Sequence, residues 1–214
     1  RTGTLQINKS SDYKGGTDIL GGIVVMGNAD ALANGKITFD SKSGTAQLTL
    51  IDEDGATLSH EIAVLSGTNT IYHSKEEVLL SGPVSISKGA ALQIGGLAQH
   101  TISVENLQGE GEFKIINSLR DTTWGGTNPG HGKEEAKGGW DYFVFLTGDN
   151  ADYSGDVSIV DTKSEPGKVY GSQLVLGNAN ALARSSVTLN GNSALNVQAD
   201  SASIKGLSGD GWVS

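Results

Sequence analysis

The sequence predicts an all-β chain wound as a right-handed parallel β-helix, a solenoid with one long loop insertion. Short runs of alternating apolar and polar residues recur from end to end, turn-forming residues stand between them, and blocks of motif return in one order. The alternating runs include Leu5-Gln6-Ile7, Gln47-Leu48-Thr49-Leu50, Val84-Ser85-Ile86, Leu92-Gln93-Ile94 and Ile102-Ser103-Val104. Val157-Ser158-Ile159, Val187-Thr188-Leu189 and Leu195-Asn196-Val197 continue the pattern. Side chains alternate across a strand, so each run puts its apolar residues on one face and its polar ones on the other. Helical periodicity nowhere lasts beyond a turn or two.

Composition narrows the class. The 214 residues suffice for a sizeable core. Their 31 glycines are about twice average usage, yet they keep no three-residue period and only 3 prolines accompany them, so the chain is not collagen-like. Charged residues are 18%, too few for a disordered polyelectrolyte. No apolar run is long enough to cross a bilayer as a helix. A formal charge of −9 with scattered Lys and Arg argues against a nucleic-acid partner, whose phosphates would be repelled. Cysteine is absent, which excludes disulfides, thiolate metal sites and a cysteine nucleophile.

Repetition separates the all-β alternatives. Met26-Gly27-Asn28-Ala29-Asp30-Ala31-Leu32-Ala33 returns as Leu176-Gly177-Asn178-Ala179-Asn180-Ala181-Leu182-Ala183. Upstream, Asp12-Tyr13-Lys14-Gly15 matches Asp152-Tyr153-Ser154-Gly155; downstream, Leu107-Gln108-Gly109-Glu110-Gly111 matches Leu207-Ser208-Gly209-Asp210-Gly211. A sandwich needs no such repetition, and a propeller needs a regular period of roughly 40–50 residues that is missing. Stacked coils with loops of variable length account for it, and parallel crossovers favour right-handed winding. Asn28 and Asn178 are expected to cap a single helical turn by accepting a backbone N–H, with Leu32 and Leu182 dropping into the core. Tyr13 and Tyr153, at matching positions, read as packing residues on the side of a coil.

These residues resemble the autotransporter-associated β-strand repeat, the passenger-associated transport repeat of exported bacterial surface proteins. Gly3-Thr4-Leu5-Gln6-Ile7, Asp12-Tyr13-Lys14-Gly15-Gly16-Thr17 and the segment from Gly22 to Leu32 follow its pattern in order. The second copy runs from Leu146 through Tyr153-Ser154-Gly155 to Leu182 and departs by a longer stretch, Asp161 to Tyr170. The resemblance implies a β-helix passenger exported through the outer membrane and displayed on or shed from the bacterial surface. It further implies a C-terminal translocator barrel beyond Ser214, a role in adhesion and no catalysis. The chain, residues 1–214, is accordingly expected to be one β-helix fragment of a longer passenger, with its export signal removed.

The chemistry concentrates in one place. Residues 118–141, between alternating runs, are polar and Gly-rich, long for a turn, and the stretch around them holds Trp124, Trp140 and Tyr142 in a chain only 6% aromatic. Flat aromatic faces stack on sugars or anchor protein partners, so Trp124, His131, Trp140 and Tyr142 form the candidate ligand-binding set. The competing reading folds both Trp back over the side of the rod. Gly130-His131-Gly132 is similar to a tripeptide of pectin-cleaving β-helix glycosidases, but the Asn-Thr-Asp and Asp-Asp motifs those enzymes need are missing, and a solvated loop histidine is the simpler reading. His60, His73 and His100 stand alone and read as surface or rung residues. Asp52-Glu53-Asp54-Gly55 has the oxygens to attract Ca²⁺ but reads better as an acidic turn, so no metal is expected. Gly109-Glu110-Gly111 and Gly209-Asp210-Gly211 read as turns and not phosphate loops, since no Lys-Ser/Thr follows either, and no cofactor is implied.

Function therefore divides three ways. The leading expectation is a non-enzymatic rod that presents a loop to a host-cell or neighbouring-cell glycan or protein. A polysaccharide-degrading glycosidase or lyase and a passive spacer stalk are the alternatives.

Overall fold

In the computed structural model, residues 3–33, 35–51, 56–74, 77–96, 100–117, 140–160, 170–191 and 193–214 are described. Their strands are β1 (Thr4–Ile7), β2 (Thr17–Ile19), β3 (Gly22–Met26), β4 (Ile37–Leu50), β5 (Ala56–Leu58) and β6 (Ile62–His73). Next come β7 (Glu77–Ile86), β8 (Ala91–Gly96), β9 (Thr101–Gly109), β10 (Glu112–Asn117), β11 (Trp140–Leu146) and β12 (Val157–Val160). The last are β13 (Tyr170–Leu176), β14 (Leu182–Asn190), β15 (Ala194–Val197), β16 (Ile204–Gly209) and β17 (Trp212–Val213). Every strand pairing is parallel, and the described residues contain no helix, so the molecule is a β-solenoid.

Three ladders make its sides. The first joins β1, β3, the second halves of β4 and β6, then β8, β10, β12, β14 and β16. The second runs through β5, the starts of β7 and β9, then β11, β13, β15 and β17. The third takes β2, the starts of β4 and β6, and the ends of β7 and β9. In the middle coils the chain visits the first, second and third ladders in turn, and Thr70 lies over Gln93, 23 residues further on.

Alternation makes the core. In the first ladder, Val24, Leu48, Ile71, Ile94, Ile115, Ile159 and Leu189 stack one above another. In the second, Leu58, Leu80, Val104, Leu146 and Leu176 do the same. From Leu48 and Leu58 onward these side chains are at most 2% exposed. Each buried Leu, Ile or Val contributes on the order of 1.5–3 kcal/mol. A single coil would leave both sides of its apolar rows in water, so the rows hold only as a stack.

Corners need special residues. Gly109 (φ 101°) and Gly209 (φ 108°) turn the chain where an added Cβ would run into the carbonyl oxygens of Ile86 and Leu189. Both the left-handed backbone and the missing side chain require glycine there. The Asn turns form as the sequence implies. Asn28 Oδ1 accepts the Asp30 N–H at 2.8 Å and Asn178 Oδ1 accepts the Asn180 N–H at 2.9 Å, with Leu32 and Leu182 buried behind them.

Candidate functional site

The candidate site lies where the chain passes from the first ladder to the second. Strand β10 ends at Asn117 and β11 begins at Trp140, so the interval is 118–139 and the last two residues of the expected loop, Trp140 and Asp141, belong to a strand. Both flanking ladders stay in register across the interval: Ile94, Ile115 and Ile159 stack on one side, and Val104, Leu146 and Leu176 on the other. The inserted segment therefore interrupts neither core row.

Alternation along β11 sorts its side chains. Tyr142, Val144 and Leu146 point inward and are fully buried. Tyr142 consequently does not belong to a surface binding set, and this corrects its assignment as a ligand contact. Its hydroxyl hydrogen-bonds His73 Nε2 at 2.8 Å, with the two rings 5.4 Å apart, and the His100 ring lies 6.1 Å from that of His73. Gly96, stacked directly on His73, leaves the space these rings fill: an added Cβ would sit 2.5 Å from Tyr142 Cε2 and 2.6 Å from His73 Nε2. Burial, with a smaller contribution from Tyr72, pushes the Tyr142 phenol well above its ordinary range and keeps it neutral. A polar knot of His73 and Tyr142 thus ties β6 to the first turn of chain after the insertion.

The opposite face of β11 carries Phe143 and Phe145, both half-buried, with ring centroids 6.3 Å apart and planes at 29°. Of the chain's 4 phenylalanines, Phe39 and Phe113 are buried, so these two are the pair left on the outside. In the second ladder, Thr101 and Gln173 flank Phe143, while Ser103 and Val175 flank Phe145. The result is an aromatic ledge edged with hydroxyl and amide groups at the root of the insertion. Such a surface presents flat apolar faces to a sugar ring or a partner side chain and places hydrogen-bonding groups beside them. The ledge was legible in principle: alternation counted back from Leu146 turns Phe143 and Phe145 outward and Tyr142 inward.

Other sequence candidates fall elsewhere. Trp124 and His131 lie outside the described residues, as does Asp52-Glu53-Asp54-Gly55. Trp140 opens β11 opposite Tyr170. His73 and His60 are not surface residues: His73 is inside the stack, and His60, 5% exposed, hydrogen-bonds the Ala33 carbonyl through Nε2. Tyr153 is buried and donates to the carbonyls of Gly111 at 2.8 Å and Asp156 at 3.0 Å, whereas Tyr13 is 38% exposed and shares a hydrogen bond with the Thr17 hydroxyl. Among the described residues no three metal-ligating side chains gather. Comparison with family models, curated proteins and solved structures finds no match for the chain.

Proposed function

We propose that this chain is a non-enzymatic segment of a bacterial surface-displayed autotransporter passenger, a rod that presents the 118–139 insertion and the Phe143–Phe145 ledge to a ligand. The observation that carries the proposal is the undisturbed register of both ladders across the insertion. A scaffold that tolerates an inserted segment without loss of core is suited to presenting one. The motif order shared with autotransporter repeats supports display outside the outer membrane, with a translocator barrel beyond Ser214. The partner is a glycan or protein on a host or neighbouring cell.

The glycosidase alternative needs a carboxyl held protonated by an apolar surround as general acid. Among the described residues no aspartate or glutamate is fully buried, which weighs against it. The deciding experiment compares the intact chain with a version in which a short Gly-Ser bridge replaces 118–139, on a panel of glycans and matrix proteins. Binding by the intact chain and none by the folded, bridged one supports presentation. If no ligand on the panel depends on 118–139 for its binding, presentation by the insertion is overturned. Release of reducing ends from polygalacturonate by the intact chain overturns the non-enzymatic reading.

A further inference from the structure

We propose that the outer face of the first ladder carries a separate binding site, a groove that takes a neutral glycan chain laid along the rod axis. Lys114, Ser158 and Thr188 occupy one register position on β10, β12 and β14. Two residues earlier on the same coils stand Glu112, Asp156 and Ser186, each adjoining the next aligned set, Phe113, Val157 and Val187. That set is buried, so alternation turns the six polar side chains to the outside. They form two columns, about 4.8 Å from coil to coil and about 6.6 Å from column to column. Together they line a groove of about 620 Å³.

The grid is partly wired in place. Glu112 Oε1 accepts from the Ser158 hydroxyl at 3.1 Å, and its Oε2 accepts from Lys114 Nζ at 2.9 Å. Thr188 and Ser208 share a hydroxyl–hydroxyl bond of 3.1 Å, carrying the polar column one coil further. The groove's volume falls in the usual range for ligand sites, and its walls are mainly carboxylate, ammonium and hydroxyl, with Ala90, Ala91 and Val157 between them. The complementary ligand is covered with hydroxyl groups, which donate to the carboxylates and to the Ser158 oxygen and accept from Lys114 and Thr188. A sugar chain has that surface, and its ring-sized repeat is comparable with the coil spacing. Two carboxylates against one ammonium in the grid, in a chain of net charge −9, disfavour an acidic polysaccharide. A peptide strand is disfavoured for another reason: β10, β12 and β14 are each paired on both sides, so no free edge exists for strand addition.

This site lies on a different ladder from the ledge, on strand positions of β10 that precede the insertion, and it stands or falls independently of both. The test is affinity electrophoresis of the intact chain through gels containing neutral polysaccharides (dextran, mannan, laminarin), polygalacturonate or chitosan oligomers, with a Lys-rich peptide assayed by anisotropy. At least one neutral polysaccharide is expected to retard the chain. The Glu112→Gln/Asp156→Asn variant and, separately, Ser158→Ala/Thr188→Ala should each weaken that binding about tenfold or more. The variant bridged across 118–139 and Phe145→Ala should retain it, with circular dichroism confirming the fold of each. Retardation by no neutral glycan overturns the proposal, as does unchanged affinity in both groove variants. Binding confined to chitosan or the basic peptide also overturns it, reducing the groove to an acidic cation trap.

Discussion

The two copies of the repeated motif sit in different surroundings, and the difference is systematic. In the first copy, the Gly27–Leu32 turn leaves β3 in the first ladder and delivers the chain to the third; in the second, Gly177–Leu182 leaves β13 in the second ladder and leads towards the first. The other blocks move with it. Tyr13 lies between the first and third ladders, Tyr153 between the second and first. Gly109 closes a third-ladder strand and Gly209 a first-ladder strand. Every block of the second copy is one face further round the coil. The motif therefore specifies strand, corner and strand, and not which side of the solenoid the corner occupies.

Position along the rod then changes what identical residues do. Tyr153 fills the corner beside the middle coils, where Asn150 Oδ1 takes the Leu107 N–H at 2.7 Å and Gly109 bridges to Tyr153 itself. Tyr13, by contrast, stays 38% exposed. Gly155 lies so close to the Gly111 carbonyl that an added Cβ would overlap it, while Gly15 has nothing within 4 Å of that point.

The contrast between copies can be broken most visibly at the tyrosines. Tyr153→Ala should cost about 4 kcal/mol in urea denaturation, the usual penalty for emptying a large buried aromatic site, and Tyr13→Ala less than about 1 kcal/mol. Equal effects would mean that the two corners are equivalent in solution. Gly155→Ala should cost about 2 kcal/mol through backbone overpacking, with Gly15→Ala close to neutral by the same measurement.

Alkali sharpens the comparison. Burial raises the Tyr153 and Tyr142 phenols above the ordinary value of 10.0, so the folded chain holds protons that the unfolded chain releases above that pH. Stability is fully present below pH 10 and falls as pH rises beyond it, by about 1.4 kcal/mol per pH unit for each buried tyrosine. Tyr153→Phe should make the pH dependence of the melting temperature shallower. The smallest effect belongs to the caps. Asn28→Ala and Asn178→Ala should each cost about 1 kcal/mol, nearly equal because both make the same local bond, and neither should alter ligand binding.

The candidate site was only half legible. The aromatic concentration around 118–141 singles out the stretch that leads into β11, but composition does not say which face a side chain takes. Starting the strand at Phe143 left Tyr142 in the loop; starting it at Trp140 puts Tyr142 inside by parity. His73 could not have been placed by pattern, since its partner is 69 residues away and the room for both depends on Gly96, a residue with no side chain. The groove was equally invisible. Glu112, Asp156 and Ser186 are scattered along the chain, and only the stacking of coils brings them into one column.

By itself, the sequence determined the strand and corner vocabulary of this protein: alternating runs, Asn-capped turns and obligatory corner glycines. All of these are local, set by side-chain parity and backbone sterics within a few residues. Tertiary structure decided which ladder each strand joins, which copy of a corner is buried and which polar side chains share a surface. Those outcomes depend on how many residues separate one coil from the next, because a change of one side in that count carries an unchanged motif to a different face.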